Sequence, residues 1–176
     1  MDQSSGTVVI HSATSGDEPF LWQMLYQAVY VPPGQPPPPP DVVRRPELSR
    51  YVTDWGEPDD LGVVAESDGQ PVGAAWLRCL RGERRGYGYV DDRTPELTIA
   101  VLPEYRGRSI GGQLLTRLLA EASHRFPAVS LSVISGNPAR RLYERHGFTV
   151  HADNGGSLTM IHRFDRPSER AAITSA

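Results

Sequence analysis

The sequence predicts a mixed α/β domain of about seven strands and four helices. Three observations predict it: apolar runs of strand length alternate with segments of helical period, turn signals separate them, and no internal repeat occurs. The chain has 176 residues, a length suited to one domain. Residues 1–164 are read as that domain, with a proline-rich loop at 31–40 and a polar C-terminal tail at 165–176.

Residues 7–13 read as a strand. Residues 17–30 carry Phe20, Leu21, Met24, Leu25 and Ala28 at helical spacing behind an acidic first turn. The run VPPGQPPPPP at 31–40 is polyproline-like, because proline fixes its own φ and has no amide donor. It is a stiff surface loop first, and otherwise a partner-docking segment or the border of a cleft. Residues 46–55 form a weaker helix. Residues 61–66 and 71–80 are β-rich and joined by Ser67-Asp68-Gly69-Gln70, a hairpin signal. Residues 81–92 form a loop rich in glycine and arginine. Residues 96–102 are a strand closed by Pro103. Residues 110–126 are the clearest helix, with Ile110, Leu114, Leu115, Leu118, Leu119 and Ala122 on one face. Then come a strand at 129–134, a short helix at 137–146 between Pro138 and Gly147, and a hairpin of 148–152 with 158–164.

Composition excludes several function classes. Hydrophobic residues make up 39 % of the chain, enough for a core. The formal net charge is −3, which argues against a broad electrostatic grip on nucleic acid. All 18 basic residues are arginine, so Schiff-base chemistry and a phosphate-loop lysine are ruled out. The single cysteine, Cys79, permits no internal disulfide and is expected to pack in a strand. His11, His124, His146, His151 and His162 show no metal-ligand spacing, so no metal is expected. His146, near a helix end, has a structural reading. No apolar run approaches the roughly 18 residues of a membrane span, and residues 1–6 lack a basic leader, so a soluble cytoplasmic protein is expected.

Two segments carry chemistry. VLPEYRGRSIGGQLL at 101–115 runs from a strand through a glycine turn into a helix. Free amides and the helix dipole at such a turn form an anion site, with Arg106 and Arg108 as added donors. It lacks the lysine of a Walker loop and the alternate glycines of a dinucleotide fingerprint, since Ser109 follows Gly107 at that spacing. SGNPARRLYERHGF at 135–148 pairs the capping residue Asn137 with Tyr143 inside a short helix.

Together these segments resemble the GCN5-related N-acetyltransferase (GNAT) family, most closely from 96 to 148. The resemblance implies a splayed central sheet that holds acetyl-CoA between its two middle strands. It implies direct transfer of an acetyl group to a primary amine of a small molecule or of a peptide or protein. It places the diphosphate at Arg106, Gly107, Arg108, Ser109, Ile110, Gly111 and Gly112. Ile99, Ala100, Val101 and Leu102 pair with the pantetheine arm, and Asn137 touches the cofactor. Tyr143 protonates the departing thiolate, and Glu96 draws a proton from the amine. Glu96 has a duller alternative, a strand-edge role or a pair with Arg93. Amides near Val101 or Leu102 are expected to face the developing oxyanion. Ser109 stands where the family usually has glycine; it can cap the helix or crowd the phosphate. The partners implied are acetyl-CoA and an amine, with a homodimer common among relatives. An acyl-CoA sensor without catalysis and an enzyme for longer acyl chains remain as alternatives. The acceptor wall is sought among Tyr30, Trp55, Trp76, Tyr87 and Tyr89. Asp91, Asp92 and Glu96 favour a cationic acceptor there, and Arg81, Arg84 and Arg85 an acidic one.

Overall fold

The computed structural model describes residues 6–165; all but the first residue of the expected tail lies outside them. In chain order the elements are β1 (Val8–Ser12), α1 (Glu18–Ala28), α2 (Pro46–Ser49), β2 (Leu61–Ser67), β3 (Gln70–Arg78), β4 (Glu96–Val101), α3 (Ile110–Ala122), β5 (Ala128–Ile134), α4 (Arg140–Arg145), β6 (Thr149–Asp153) and β7 (Ser157–Arg163). Short 3₁₀ turns link several of them. The strands form one sheet in the order β1-β2-β3-β4-β5-β7-β6. Every neighbouring pair is antiparallel except β4 with β5, which is parallel and joined at one register point, Glu96 to Ser130. The expected seven strands and four helices are therefore present, and the sheet is splayed at its middle.

Each face of the sheet buries one core. On one side α3 lays Ile110, Leu114, Leu115 and Leu118 against Val63, Ala75 and Leu97. On the other side α1 contributes Leu21, Met24 and Leu25, which pack with Val64, Ala74 and Trp76. The strand period of two sends alternate residues to opposite cores, so the middle strands read as nearly continuous apolar runs. The β2–β3 hairpin turns on Asp68 (φ 51°) and Gly69 (φ 77°), the left-handed pair that matches strand twist.

All four helices are shorter than their patterns, α1 trimmed at both ends and α3 closing at Ala122 in place of residue 126; the other two are cut back by identifiable hydrogen bonds. The helical run at 46–55 forms only one turn, α2. Beyond it the buried Arg78 draws the carbonyls out of helical pairing: its Nη1 donates to Arg50 O (3.1 Å) and Thr53 O (2.6 Å), its Nη2 to Asp54 O (3.2 Å). Its Nε donates to the carboxylate of Asp60 at 3.0 Å. At α4, the Asn137 side chain accepts from Ala139 N–H (2.9 Å), holding 137–139 in a turn, so the helix begins at Arg140. His146 closes α4 as a structural residue, with Nδ1 on Leu142 O (2.8 Å) and Nε2 on Thr116 Oγ1 of α3 (3.3 Å). Cys79 lies one residue past the end of β3 and so is not in a strand, but it packs half-buried against the α3-side core, and burial pushes its thiol up to about 11.

Arg78 is 1 % exposed, and Asp60 is nearly as buried. Removing one member of such a pair leaves an uncompensated charge and orphaned carbonyls. Arg78→Ala is expected to lower the unfolding free energy by about 3–5 kcal/mol, read from urea denaturation midpoints. A loss below about 1 kcal/mol would contradict the anchoring role.

Candidate active site

The site begins where β4 and β5 part. Ser130 N–H donates to Pro95 O at 3.0 Å beside the single bridge. Leu102 N–H donates to Val72 O of β3 at 2.8 Å. Strand alternation therefore turns the backbone polar groups of Ile99 and Val101 the other way, into the gap. This corrects one expectation: the amide of Leu102 is used by β3 and cannot face an oxyanion. Within the gap the Val101 carbonyl accepts from Arg106 Nε at 3.0 Å. Ile99, Ala100 and Val101 line a cavity there; Leu102 packs into the cores instead.

At the end of β4 the turn rises to α3. Gly107 (φ 75°) and Ser109 (φ 63°, ψ 15°) are both left-handed. That backbone explains why glycine suits position 109, and serine carries a conformational cost there. Ser109 makes no side-chain capping bond, so of the two readings of that serine the helix cap does not form. The first intrahelical bond runs from Gln113 N–H to Ser109 O (3.2 Å). The amides of Ile110, Gly111 and Gly112 thus have no partner within the helix, at the positive end of its dipole. A Cβ on Gly111 would rest 3.4 Å from Leu142 and one on Gly112 would rest 3.6 Å from His146. These are ordinary contacts, so the protein's own packing does not require glycine at either position. The two arginines of the turn are tied locally: Arg106 also reaches Gln27 (3.4 Å), and Arg108 donates to Glu104 O (3.1 Å) and covers the Tyr105 ring. The donors offered to an anion are therefore backbone amides first. This set fits the diphosphate of a nucleotide thioester.

Glu96 opens β4 and is 4 % exposed. Its Oε1 accepts from Tyr51 Oη (2.6 Å) and Gly88 N–H (2.7 Å), and its Oε2 is buried without a partner. Tyr51 Oη in turn accepts from Tyr87 N–H at 2.9 Å. Burial raises the carboxyl above its ordinary range, while the bonds from Tyr51 and Gly88 and the nearby Arg50 oppose that rise. The alternative pair with Arg93 does not form: that residue's amide is engaged with Asp91, and Glu96 faces inward. A Cβ on Gly86 would lie 2.1 Å from Glu96 Oε2, and one on Gly88 would lie 2.6 Å from the Leu131 backbone. Both glycines are needed so that this loop can press onto the carboxyl and β5. Ser130 Oγ fastens it by donating to Gly88 O at 2.7 Å.

Tyr143 of α4 is buried with no hydrogen bond or charge to offset it, and burial alone pushes its hydroxyl up to about 12. It borders two cavities, of about 420 and 460 Å³, which also share Ala28, Val29, Tyr30, Ile99 and Asn137. The first contains Glu96 and Tyr51; the second contains Val101 and Arg106. Tyr30 Oη reaches across to Gly136 O (3.3 Å), so the chain after α1 straps the cleft between them. Pro37 and Pro38 line the second cavity, and Tyr26 Oη holds Pro38 O at 2.8 Å; the proline-rich segment borders the cleft.

The aromatic wall differs from expectation. Tyr30 and Tyr87 line the first cavity, but Trp55 and Trp76 are buried in the α1-side core. Trp76 donates to Tyr51 O (2.9 Å) and so supports the Tyr51 backbone. Tyr89 bonds Asp92 and lies under Arg85. Arg81 pairs with Asp59 and Arg84 with Glu57. The conflicting charges around 81–92 are thus consumed outside the cavity. Tyr51, Gly86 and Gly88 were not foreseen; only the Gly-Tyr-Gly-Tyr spacing at 86–89 hinted at a close backbone approach.

Among the described residues no cluster of His, Cys, Asp and Glu is arranged for a metal, and no helix is long and apolar enough to cross a membrane.

An open mixed sheet, split between two parallel middle strands beside a glycine-rich helix start, defines an acetyltransferase-type fold. Residues 58–150 match the family model described as the acetyltransferase (GNAT) domain, and the chain belongs to that family. Over 107 residues it is 36 % identical to a mycothiol acetyltransferase of Streptomyces griseus subsp. griseus, covering 58 % of this chain and 31 % of that protein. The chain thus spans about a third of the length of that curated relative. The fold is similar to the ribosomal-protein-S18-alanine N-acetyltransferase of Escherichia coli (TM-score 0.64, 20 % identity, 91 % of this chain and 96 % of that one). It is equally similar to the PaiA N-acetyltransferase of Thermoplasma acidophilum in complex with coenzyme A (TM-score 0.64, 18 % identity, 90 % and 99 %).

Two outcomes test this geometry. Ser109→Gly is expected to raise stability by about 0.5–1 kcal/mol by relieving the left-handed residue, measured by chemical denaturation; a destabilised variant would contradict it. For Glu96 the folded carboxyl binds its proton more tightly than the unfolded one. Its stabilising contribution is then complete below the ordinary value near 4.5 and is lost as pH rises through the raised folded value. The melting temperature of Glu96→Gln minus that of wild type should therefore climb as pH rises from 4 to 8. A difference that is flat or falls would refute the burial argument.

Proposed function

We propose that this protein is an acyl-CoA-dependent N-acyltransferase that passes an acetyl group from acetyl-CoA directly to a primary amine. One observation carries the reading: two cavities with shared walls run from Arg106, in the turn that leads to the unpaired helix-start amides, to the buried Glu96 carboxyl, and Tyr143 borders both. When bound, acetyl-CoA would supply an acyl carbon activated as a thioester.

The amides of Ile110, Gly111 and Gly112 would hold the diphosphate, with Gly107 and Ser109 shaping the turn and Arg106 and Arg108 adding positive charge nearby. The gap-facing groups of Ile99 and Val101 would pair with the pantetheine amides in place of the missing strand contacts, with Ala100 and Asn137 lining the same cavity. Holding both reactants in one cleft removes the entropic cost of their encounter. An ammonium has no lone pair, so the acceptor has to lose a proton. Tyr51 Oη lies on the cavity wall and donates to Glu96 Oε1. A proton leaving the amine passes to Tyr51 Oη as that hydroxyl's own proton moves to Glu96. Tyr143 remains protonated throughout the physiological range and serves as the acid for the departing sulfur. Its lack of a competing hydrogen bond leaves the O–H available. The reading places the activity in the cytoplasm, with a homodimer as the assembly that family resemblance suggests.

The test is thiol release from acetyl-CoA across a panel of amines. Release should depend on amine and yield the N-acetyl product. Tyr143→Phe should reduce kcat by about 100-fold with the acetyl-CoA Kd nearly unchanged by calorimetry. Release without amine dependence would favour hydrolysis or sensing, and an unaltered kcat would remove Tyr143 as the acid.

A further inference from the structure

The chemistry of the 420 Å³ cavity narrows the acceptor. We infer that it admits a monoamine with a compact apolar or aromatic body and no acidic group. This inference rests on the transferase reading and goes beyond it by naming the substrate class.

The walls supply the argument. Leu25 and Leu48 on one side and Val133 and Ile134 on the other make the cavity predominantly apolar, and Tyr30 and Tyr87 add aromatic faces. No arginine or histidine lines it among the described residues. The nearby cations are engaged elsewhere: Arg81 with Asp59, Arg84 with Glu57, Arg85 over Tyr89. Arg50, the cation nearest to Glu96 in effect, donates to the carbonyls of Pro46 and Arg85 and is not part of the wall. A carboxylate or phosphate on the acceptor would lose water here and find no counter-charge, a cost that apolar contact does not repay. The same reasoning limits the number of ammonium groups. Glu96 is the only carboxylate in the lining, and with Tyr51 it can serve one nitrogen. A second ammonium, as in a polyamine, would be buried against leucine and valine. Thr98, Ser132, Asn137 and Ser157 add only neutral polar groups to the walls, and an extended peptide is disfavoured by size, since the cavity of about 420 Å³ shares six lining residues with the neighbouring one. A flat aromatic or short aliphatic body instead buries apolar area against both sides while its ammonium enters at Glu96, where the tyrosine faces favour a cation. The volume lies toward the lower end of the range of about 300–1,000 Å³ for small-molecule sites.

The experiment compares 2-phenylethylamine, phenylalanine, spermidine and a phenylalanyl tripeptide under saturating acetyl-CoA, read by thiol release and product mass. The amine and the amino acid differ only by the carboxylate. We expect kcat/KM for 2-phenylethylamine at least about 100-fold above that for each of the other three. Parity with any of them, or a reversed order, overturns the inference. Calorimetry with acetyl-CoA alone separates the two levels. If acetyl-CoA binds but 2-phenylethylamine is not acetylated, this inference falls and the transferase reading stands on the other amines. If acetyl-CoA does not bind, the transferase reading itself falls. A second variant adds the missing cation: Ile134 is 48 % exposed at the cavity rim, so Ile134→Arg should fold. It is expected to cut the preference for 2-phenylethylamine over phenylalanine at least tenfold, and an unchanged ratio would count against the charge argument.

Discussion

The parting of β4 and β5 beyond the Glu96–Ser130 bridge is the constraint on which the rest of the molecule depends. A parallel pair that closed fully would satisfy Ile99 and Val101 within the sheet and leave no cleft. Left open, those backbone groups need partners, because buried N–H and C=O groups are costly when unpaired. The fold provides few: Arg106 takes the Val101 carbonyl, and the remainder faces the cavity. In the proposed reading, a ligand with alternating amide donors and acceptors would complete the strand that the sheet omits. The separation is held from both sides. Both pairs, β3 with β4 and β5 with β7, contribute to the core under α3, so neither middle strand can swing shut without disturbing that shared packing.

The same gap explains the placement of the carboxyl. Glu96 sits at the last point where the strands still touch, which gives it a fixed position and removes it from water. Burial opposes its ionised form, and two charge-assisted bonds on one oxygen oppose burial. The balance leaves a carboxyl whose proton affinity is raised above its ordinary value, the direction that the proposed base role calls for. Gly86 and Gly88 make this possible, since any side chain there would collide with the carboxyl or with β5. Glu96 and its hydrogen-bond donor Tyr51 both line the cavity, and the position of Tyr51 depends in turn on the Trp76 indole below it.

Much of this was legible beforehand, and the parts that were not share a cause. Period and punctuation located seven strands and four helices, because each reports a local preference: Pro103 ends β4, and the apolar stripe of α3 runs Ile110, Leu114, Leu115, Leu118. The turn at 106–112 was equally local. The failures were tertiary. Nothing near residue 50 says that Arg78, 28 positions away, will take the carbonyls that α2 would have used. Nothing near Trp55 says that its neighbours will bury it in a core and not in a wall. Tyr51 became part of the site only because that interrupted helix delivers its hydroxyl to Glu96, across 45 residues of chain. Ser109 was recognised as a departure, but its left-handed backbone, which gives the departure its physical meaning, is a property of the folded turn.

Arginine supplies the last link. The chain has 18 arginines and no lysine, and around the cleft these groups serve mostly as fasteners. Arg78 gathers the loop after α2, Arg106 and Arg108 clamp the glycine turn onto its own carbonyls, and Arg50, Arg81, Arg84 and Arg85 bind the 81–92 loop to its surroundings. A planar guanidinium with several donors can hold two or three carbonyls at once, which an ammonium does with less directional control. Spending the guanidinium donors on carbonyls leaves the helix-start end of the cleft to fixed peptide amides and the Glu96 cavity without a cation in its lining. In the proposed reading, orientation at the first would be set by backbone geometry, and selectivity at the second by what a nearly uncharged wall refuses. The polar chemistry of the site is thereby concentrated on Glu96, Tyr51 and Tyr143, three side chains whose burial, not whose number, determines what the cleft can do.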